Sequence, residues 1–497
     1  MTYPPPSAVT LRQLLQGLTL HSVPATPVTG VACDSKRVRA GEVFIAVRGN
    51  RHDGHEFVGE AIQRGAGAVI VERIPGGHAR CPVVSVEDTR RALAVIAARF
   101  YGEPATRLRC VGVTGTNGKT TTTYLLKAAL EAAGHRVGLL GTVAYQIGQR
   151  TVPSGNTTPG ALLLQQYLAQ MVEQQMAFCV MEVSSHALDQ GRIDGMTLDA
   201  AIFTNLGSDH LDYHHTREQY AAAKRRIFSY LGRQGHGLIN LDDPYSETLI
   251  DSLPGVPLLT YGHEQAAQVI ARSVLCNWQG TSFVVESPWG VFPIQTPLVG
   301  RHNLLNLTAA TAACLSLGIA PSAIQLGLSE FAQVPGRIER IVGDTGVMAV
   351  IDFAHTADAL RQVLLSLREL TRGRLIVVFG CGGDRDQTKR PVMGQLASLL
   401  SDYVVLTSDN PRSEDPQDIV HQIKAGFVPG FSDYHVAVGR EHAIHHALSI
   451  ARSDDVVLIA GKGHETYQIF RDVTVPFSDR EVVEHWFTQS TKTVTVS

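Results

Sequence analysis

The chain has 497 residues, with Lys+Arg 43 against Asp+Glu 46 and a formal net charge of −3; at about 150 residues per domain, this length implies three domains. So even a balance gives no footing for a nucleic-acid backbone or an anionic membrane surface as partner. The start, MTYPPPSAVTLRQLL, lacks the basic flank and apolar stretch of a signal peptide, and no apolar run approaches the ~20 residues of a membrane span, so a cytoplasmic protein is expected.

Short β-rich apolar runs alternate with helical patterns and Gly-ended turns, the signature of α/β layers with largely parallel sheets. A first block, 1–106, holds GVACDSKRVRAGEVFIAV, AIQRGAGAVIVE and CPVVSV, and closes on the turn-like YGEPATRL. The second, 107–335, opens on the strand RCVGVTG, passes through AFCVMEV, DAAIFTN and GHGLINLDD, and reaches the helical NLLNLTAATAACLSLG. Pro335 and Gly336 in FAQVPGRIER are punctuation suited to a hinge or domain boundary. The third block, 336–497, has four strand candidates, VMAVIDFA, RLIVVFG, DYVVLTS and DVVLIAG. Within it Leu360, Val363, Leu364 and Leu367 recur at i, i+3, i+4, i+7, predicting one helical face laid on the sheet. Cys33, Cys81, Cys110, Cys179, Cys276, Cys314 and Cys381 lack CxxC spacing and mostly lie in apolar runs, so buried free thiols are expected.

The most specific stretch is CVGVTGTNGKTTTTYLLKAALEAAG, a strand, a Gly-rich turn and a helix with Gly134 as its C-cap. The strict G-x-x-x-x-G-K-[ST] pattern fails because Val113 stands at the first glycine, leaving Gly115 and Gly118. The physics survives: small residues let backbone N–H groups approach phosphate, the helix N-terminus favours negative charge, Lys119 reaches terminal phosphates and Thr120 offers a hydroxyl to Mg²⁺. Glu182, at the end of an apolar strand, projects a carboxylate into the crevice that α/β sheets use for ligands, and suits the same Mg²⁺ as a hard oxygen donor. On this evidence a kinase, a motor ATPase and an ATP-dependent ligase all remain open.

GTNGKT resembles the ATP-binding loop of the Mur ligase family. MEVSSHALDQGR, TNLGSDHLDYH, YAAAKRRIF, GRHNLLN, PGRIER and DFAHTADAL also resemble that family's motifs, in order, over nearly the whole chain. The resemblance implies an α/β fold of three domains: an N-terminal UDP-sugar-binding domain (1–106), a central P-loop-type ATPase domain (107–335) and a C-terminal Rossmann-like amino-acid domain (336–497). It implies ATP contacts from Gly115, Thr116, Asn117, Gly118, Lys119, Thr120, Thr121, Asn303, Arg337, Asp352 and His355. It also implies a second metal held by His210 and by Lys224 as a carbamate. As bare sequence, the His210–Asp209 neighbours read as a solvated or hydrogen-bonded pair and Lys224 as a solvated helical cation. One departure is Ala357, where the family usually has proline, which predicts a looser helix start.

The implied reaction transfers the γ-phosphoryl of ATP to a substrate carboxylate, and an amine then attacks the acyl phosphate. Lys119, Lys224, His210 and Arg337 are the implied catalytic residues, acting by positioning and charge neutralisation. Ser35 and Asn50, Arg51 and His52 align with the family's UDP-sugar contacts, although that loop departs from HQADG while Asp53 and Gly54 match better. Asn156, Thr157 and Thr158 of SGNTTP, with Ser184, Gln190 and Arg192, align with contacts to the sugar and peptide of a UDP-N-acetylmuramoyl-dipeptide. Without the resemblance, SGNTTP reads as a helix-capping turn.

GCGGDRDQTKRP, SDNPR and GKGHET each follow a strand, and parallel strands would bring them to one sheet edge. Arg385, Asp409, Asn410, Pro411, Arg412, Gly461 and Glu465 would then converge. Arg412 offers a planar fork for a carboxylate, and Asp409 and Glu465 accept from ammonium groups, which suits a diamino diacid. DNPR resembles the signature of Mur ligases that add meso-diaminopimelate; lysine-adding relatives usually lack the arginine. Without the family, a surface turn with a salt-bridged arginine would serve as well. A folylpolyglutamate synthetase, and an ATP-driven switch or binding module, stay open as alternatives, and a monomer is expected.

Overall fold

The computed structural model describes residues 9–49, 52–74, 81–207, 209–343 and 346–494 of the protein. Apolar runs that are buried along their whole length, such as Ala68–Val71, Phe178–Glu182 and Leu375–Phe379, do not alternate in and out. That is the pattern of parallel strands covered on both faces, and it fixes the layering throughout. In the N-terminal region Gly30–Ala32, Glu42–Ile45, Ala68–Val71 and Val83–Ser85 pair in sequence order, all parallel. The helix Thr89–Phe100 is started by Asp88, whose carboxylate accepts the N–H groups of Arg90 and Arg91 at 2.8 and 3.1 Å.

Among the described residues the central sheet has eleven strands, and Arg109–Thr114, which leads into the phosphate loop, lies in its interior between Phe178–Glu182 and Leu198–Phe203. Its middle is parallel, from Val137–Leu140 across to Val269–Asn277. Antiparallel hairpins finish both edges, Ala144–Ile147 with Arg150–Pro153 and Gly280–Ser287 with Gly290–Thr296. Helices Lys119–Ala132, Arg301–Ser316 and Pro321–Ser329 share one core with the sheet, around Leu125, Leu307 and Ile324.

In the C-terminal sheet the order is Glu339–Val342, Met348–Asp352, Val456–Ala460, Leu375–Phe379, Tyr403–Leu406, Tyr434–Val436, with only the first pairing antiparallel. The short edge strands Glu339–Val342 and Tyr434–Val436 escaped the sequence reading because their residues are largely polar or exposed. The helix Ala357–Leu370 buries Leu360, Val363, Leu364 and Leu367, as their spacing predicts. Ala357 does not leave its start uncapped: Thr356 Oγ1 accepts the Ala359 N–H at 3.3 Å. Between the central and C-terminal sheets, the hairpin tip at Trp278 donates Nε1–H to the Leu370 carbonyl at 2.9 Å, and Arg340 donates to the carbonyls of Trp278 and Pro297.

The expectation for the cysteines needs correction. All seven are free thiols, but only Cys110, Cys179, Cys314 and Cys381 are buried; Cys33 and Cys276 are exposed and Cys81 is intermediate. Cys33 lies just past the end of Gly30–Ala32 and Cys276 near the tip of a surface hairpin, where an apolar neighbourhood in sequence does not mean burial. No described helix is long and apolar enough to cross a membrane.

Candidate active site

The phosphate loop is built as its sequence requires. Gly118 sits at φ 86°, a left-handed conformation, and a Cβ there would come within 2.3 Å of Asn306 Oδ1. Lys119, the first residue of its helix, folds back so that Nζ donates to the carbonyls of Gly115 and Thr116 at 2.9 and 2.8 Å. Burial lowers its pKa, opposed by the nearby carboxylates of Glu182 and Asp209. Thr116 Oγ1 accepts the Gly207 N–H at 2.9 Å and lies 3.1 Å from the Tyr220 hydroxyl, tying the loop to the helix that carries Lys224.

A cavity of about 580 Å³ opens beside the loop, between the central and C-terminal sheets. Asn117, Gly118, Thr120 and Thr121 line one side of it, and Arg337 and Asp352 the other. Arg337 donates to Thr120 Oγ1 at 3.3 Å and lies over the Phe353 ring at 4.8 Å, while its buried Nε has no partner. Asp352 accepts the N–H groups of Ile338 and Ala354, both at 2.8 Å; burial pushes its pKa up against the pull of Arg337. Asn303 does not line the cavity: its amide donates to Val299 O and accepts from Asn306, one helical turn on, which is the asparagine that does line it. Gly115, Thr116, Lys119 and His355 are likewise outside the lining; the His355 ring is 2.8 Å from the Phe353 carbonyl and near Asp209.

Glu182 is buried, and its oxygens accept from Thr142 N at 2.8 Å and Thr142 Oγ1 at 3.0 Å. Thr142 also meets Thr157 Oγ1 at 3.1 Å, so the phosphate side and the SGNTTP loop share one residue that sequence reasoning missed. Thr158 Oγ1 donates to the Glu182 carbonyl at 2.9 Å and accepts the Ser184 N–H at 3.0 Å, and Arg192 grips Thr158 O and Gln190 Oε1 at 2.9 and 2.8 Å. Asn156 contributes its backbone, paired both ways with the Tyr145 hydroxyl. The capping reading is not realised, since helix Ala161–Glu173 has Gly160 at its N-cap and no side-chain cap.

Lys224 is buried rather than solvated: Nζ donates to the Gly115 carbonyl at 2.7 Å and lies 4.3 Å above the Tyr220 ring. Burial, reinforced by the charge of Lys119, holds its pKa well below the usual lysine value. His210, at φ 55°, stacks edge-on against His186 with ring centroids 4.8 Å apart. Burial pushes its pKa down to about 4 despite Asp209, leaving a neutral imidazole. Thr120 and Glu182 supply hard oxygens of the kind Mg²⁺ takes, and a neutral His210 suits a metal too. Among the described residues no group of three or more His, Cys, Asp or Glu is arranged to hold a metal by itself, so such an ion would need Thr120 and substrate oxygens to complete its shell.

The N-terminal candidates lie apart from this network. Ser35 Oγ donates to Glu60 at 2.7 Å, His52 is exposed with its ring beside Phe57, and Asn50 and Arg51 lie outside the described residues. The helix Thr89–Phe100 nevertheless reaches the central region through Arg91 and Asp194, 3.5 Å apart.

At the C-terminal sheet the parallel strands put 380–391, 408–412 and 461–465 at one carboxyl edge. Arg412, at φ 51°, donates Nη1–H to Gly383 O at 2.6 Å and its N–H to Ile469 O at 3.1 Å. It is a partly buried residue of the loop cluster, not a salt-bridged surface turn. Asp409 and Asn410 are buried; Asn410 donates to Glu465 Oε2 at 3.0 Å. That oxygen also receives Lys462 Nζ at 2.8 Å, a buried lysine that sequence reasoning passed over. Gly461 must be glycine: φ is 113°, and a Cβ would stand 2.6 Å from Asp409 Oδ2. Arg385 is exposed and, with Asp212 of the central region, lines a gap of about 420 Å³. His464 of the same edge lies beside Phe353, its ring centroid 5.1 Å away, and burial helped by Arg337 pushes its pKa down to about 4.

Family profiles cover most of the chain: Mur ligase middle domain over 113–314, the Mur ligase glutamate ligase domain over 336–463, and the Mur ligase family catalytic domain over 27–101. A curated relative from Geobacillus thermodenitrificans is 44% identical over 95% of this chain and 97% of its own. The chain belongs to the Mur ligase family. That relative is named UDP-N-acetylmuramoyl-L-alanyl-D-glutamate--2,6-diaminopimelate ligase, as is one from Gloeobacter violaceus, 45% identical over 95% of this chain and 97% of its own. A solved structure of a protein with the same name superposes with a TM-score of 0.71 at 34% identity, covering 98% of this chain and all (100%) of that one.

Proposed function

We propose that this protein is an ATP-dependent, ADP-forming amide ligase that adds meso-diaminopimelate to the D-Glu carboxylate of UDP-N-acetylmuramoyl-L-Ala-D-Glu, a step in building peptidoglycan precursors. The observation that carries the reading is the placement of Arg412, Asp409 and Glu465 at one sheet edge, whose His464 meets the backbone of Thr142, the residue that pairs with Glu182 and Thr157. A diamino diacid has two ammonium groups and two carboxylates, and this edge offers carboxylates for the former and a guanidinium for the latter.

ATP takes the 580 Å³ cavity, with its phosphates against the loop N–H groups and the start of helix Lys119–Ala132. Lys119 exchanges its two carbonyl partners for phosphate oxygens, and Arg337 draws charge from the opposite wall. The substrate carboxylate, presented by the SGNTTP network and Arg192, attacks the γ-phosphorus; ADP leaves and an acyl phosphate forms. The amine of diaminopimelate then attacks the acyl carbon, loses a proton, and expels inorganic phosphate. Mg²⁺, when bound, neutralises phosphate charge, and Thr120 and Glu182 are the residues that would hold it. Lys224 as a carbamate, with His210, would hold a second ion; burial favours the neutral amine, the form that adds CO₂. A carbamate carbon resonance after ¹³C-bicarbonate labelling, lost in Lys224→Met, is expected; its absence from the parent protein removes that assignment.

The decisive assay is phosphate release from ATP with the UDP-muramoyl-dipeptide plus meso-diaminopimelate, lysine, or no amine. Turnover is expected with diaminopimelate alone. Equal rates with lysine overturn the specificity, amine-independent turnover points to an ATP-driven switch, and glutamate-dependent turnover with folate points to a folylpolyglutamate synthetase.

A further inference from the structure

The turn 408–412 and the loop 461–465 leave the sheet from strands that are not neighbours, because Leu375–Phe379 runs between Tyr403–Leu406 and Val456–Ala460. Strand pairing fixes the two outer strands about 9–10 Å apart inside the sheet, but it stops where the chains leave it. Arg440 spans that gap. Its Nη1 donates to the Ser408 carbonyl at 3.3 Å and its Nη2 to the Ala460 carbonyl at 3.0 Å, the residues immediately before Asp409 and Gly461. The guanidinium is held in plane by Asp479, which accepts Nε–H at 2.7 Å and Nη2–H at 2.8 Å, with both side chains fully buried. Each of the two residues opens a helix, Arg440–Ile450 and Asp479–Val494, so the pair is anchored to two separate elements behind the sheet edge.

We infer that Arg440, oriented by Asp479, is a positioning residue that sets the spacing between the two loops carrying Asp409, Arg412 and Glu465, and with it the selectivity among diamino acids. The inference rests on the assignment of those loops to the amino-acid substrate. A buried pair that served stability alone would be replaceable by apolar residues of similar size. Replacing this one should instead disturb the site, because its donors fall on the carbonyls that lead into the two loops. Lysine cannot stand in for it either, since a point charge lacks the planar fork needed to reach Asp479 and both carbonyls together.

The test measures KM for ATP, UDP-muramoyl-dipeptide and meso-diaminopimelate, with lysine as competing amine, in the parent enzyme, Arg440→Lys, and Arg440→Met combined with Asp479→Leu. In both variants the KM for diaminopimelate should rise about ten- to a hundredfold, the scale of a misplacement of about 1 Å, with the ATP KM unchanged and discrimination against lysine reduced. An unchanged diaminopimelate KM in folded Arg440→Lys overturns the inference, as does a parallel loss for all three substrates. Should the double variant not fold, Arg440→Lys decides. A parent enzyme that does not use diaminopimelate instead overturns the functional reading itself, and the inference with it.

Discussion

At the phosphate loop, one unbroken run, 115–121, carries the site, and its shape follows from Gly115 and Gly118 at positive φ followed by a helix N-terminus. At the C-terminal edge, Asp409, Arg412 and Glu465 come from two loops and are held together by contacts from further away still: Arg440, Asp479 and the hairpin Tyr467–Phe470 with Val473–Pro476. The first site recognises something every ATP-using enzyme must hold, and local backbone geometry suffices for phosphate. The second, on the proposed function, must discriminate one amino acid from others, which requires side chains at fixed distances that no single turn can span.

The contrast predicts that damage at the phosphate loop is total while damage at the amino-acid edge is selective. Lys119→Met should cost about a thousandfold in kcat for ADP formation with any amine, since it removes a charge aimed at the transferring phosphoryl group. Comparable rates from the variant would break the comparison at its strongest point. Arg412→Ala should raise the KM for meso-diaminopimelate about ten- to a hundredfold through loss of a charge-assisted pair, leaving nucleotide affinity as it was. A matching fall in ATP affinity, read by calorimetry, would show that the two sites are one.

Gly118→Ala should destabilise the loop by about 1–3 kcal/mol, because alanine is strained at φ 86° and its Cβ meets Asn306 at 2.3 Å. The effect should appear as weaker ATP binding with an unaltered diaminopimelate KM at saturating ATP. The smallest effect concerns pH and touches both regions, through His302 beside the nucleotide cavity and His464 beside the amino-acid loops, each pushed down to about 4 mainly by burial. Unfolded histidines bind protons below about 6.5, whereas these stay neutral in the fold. Stability present above that pH is therefore lost as pH falls toward 4. The thermal midpoint should drop on going from pH 7 to pH 5, and drop less in His302→Gln and in His464→Gln. An identical drop in both variants would remove these imidazoles from the account.

The residues most easily read were those whose role is local. The helical face at Leu360, Val363, Leu364 and Leu367 was written in its spacing and is buried as written. The phosphate loop was written in its strand–turn–helix context despite Val113. Lys224 was misread as bare sequence, because burial depends on which elements pack over a helix and its neighbours Arg225 and Arg226 look solvated. Asn303 and Asn306 differ by one turn, so the motif gave the segment but not the asparagine that faces the cavity. Thr142 carried no signal at all; it matters because an antiparallel hairpin returns the SGNTTP loop to the end of the Glu182 strand.

By itself, then, the sequence determined the α/β layering, the phosphate loop and the run of family motifs, because hydrophobic period and backbone conformation are short-range properties. That 408–412 and 461–465 share an edge was readable if the strands were parallel; only the tertiary structure decided that a third strand runs between theirs and that Arg440 and Asp479 bridge the two loops. Parallel sheets bring together strand ends far apart in the chain, and the spacing of such ends is set by strand order and by buried charges, which no local pattern encodes.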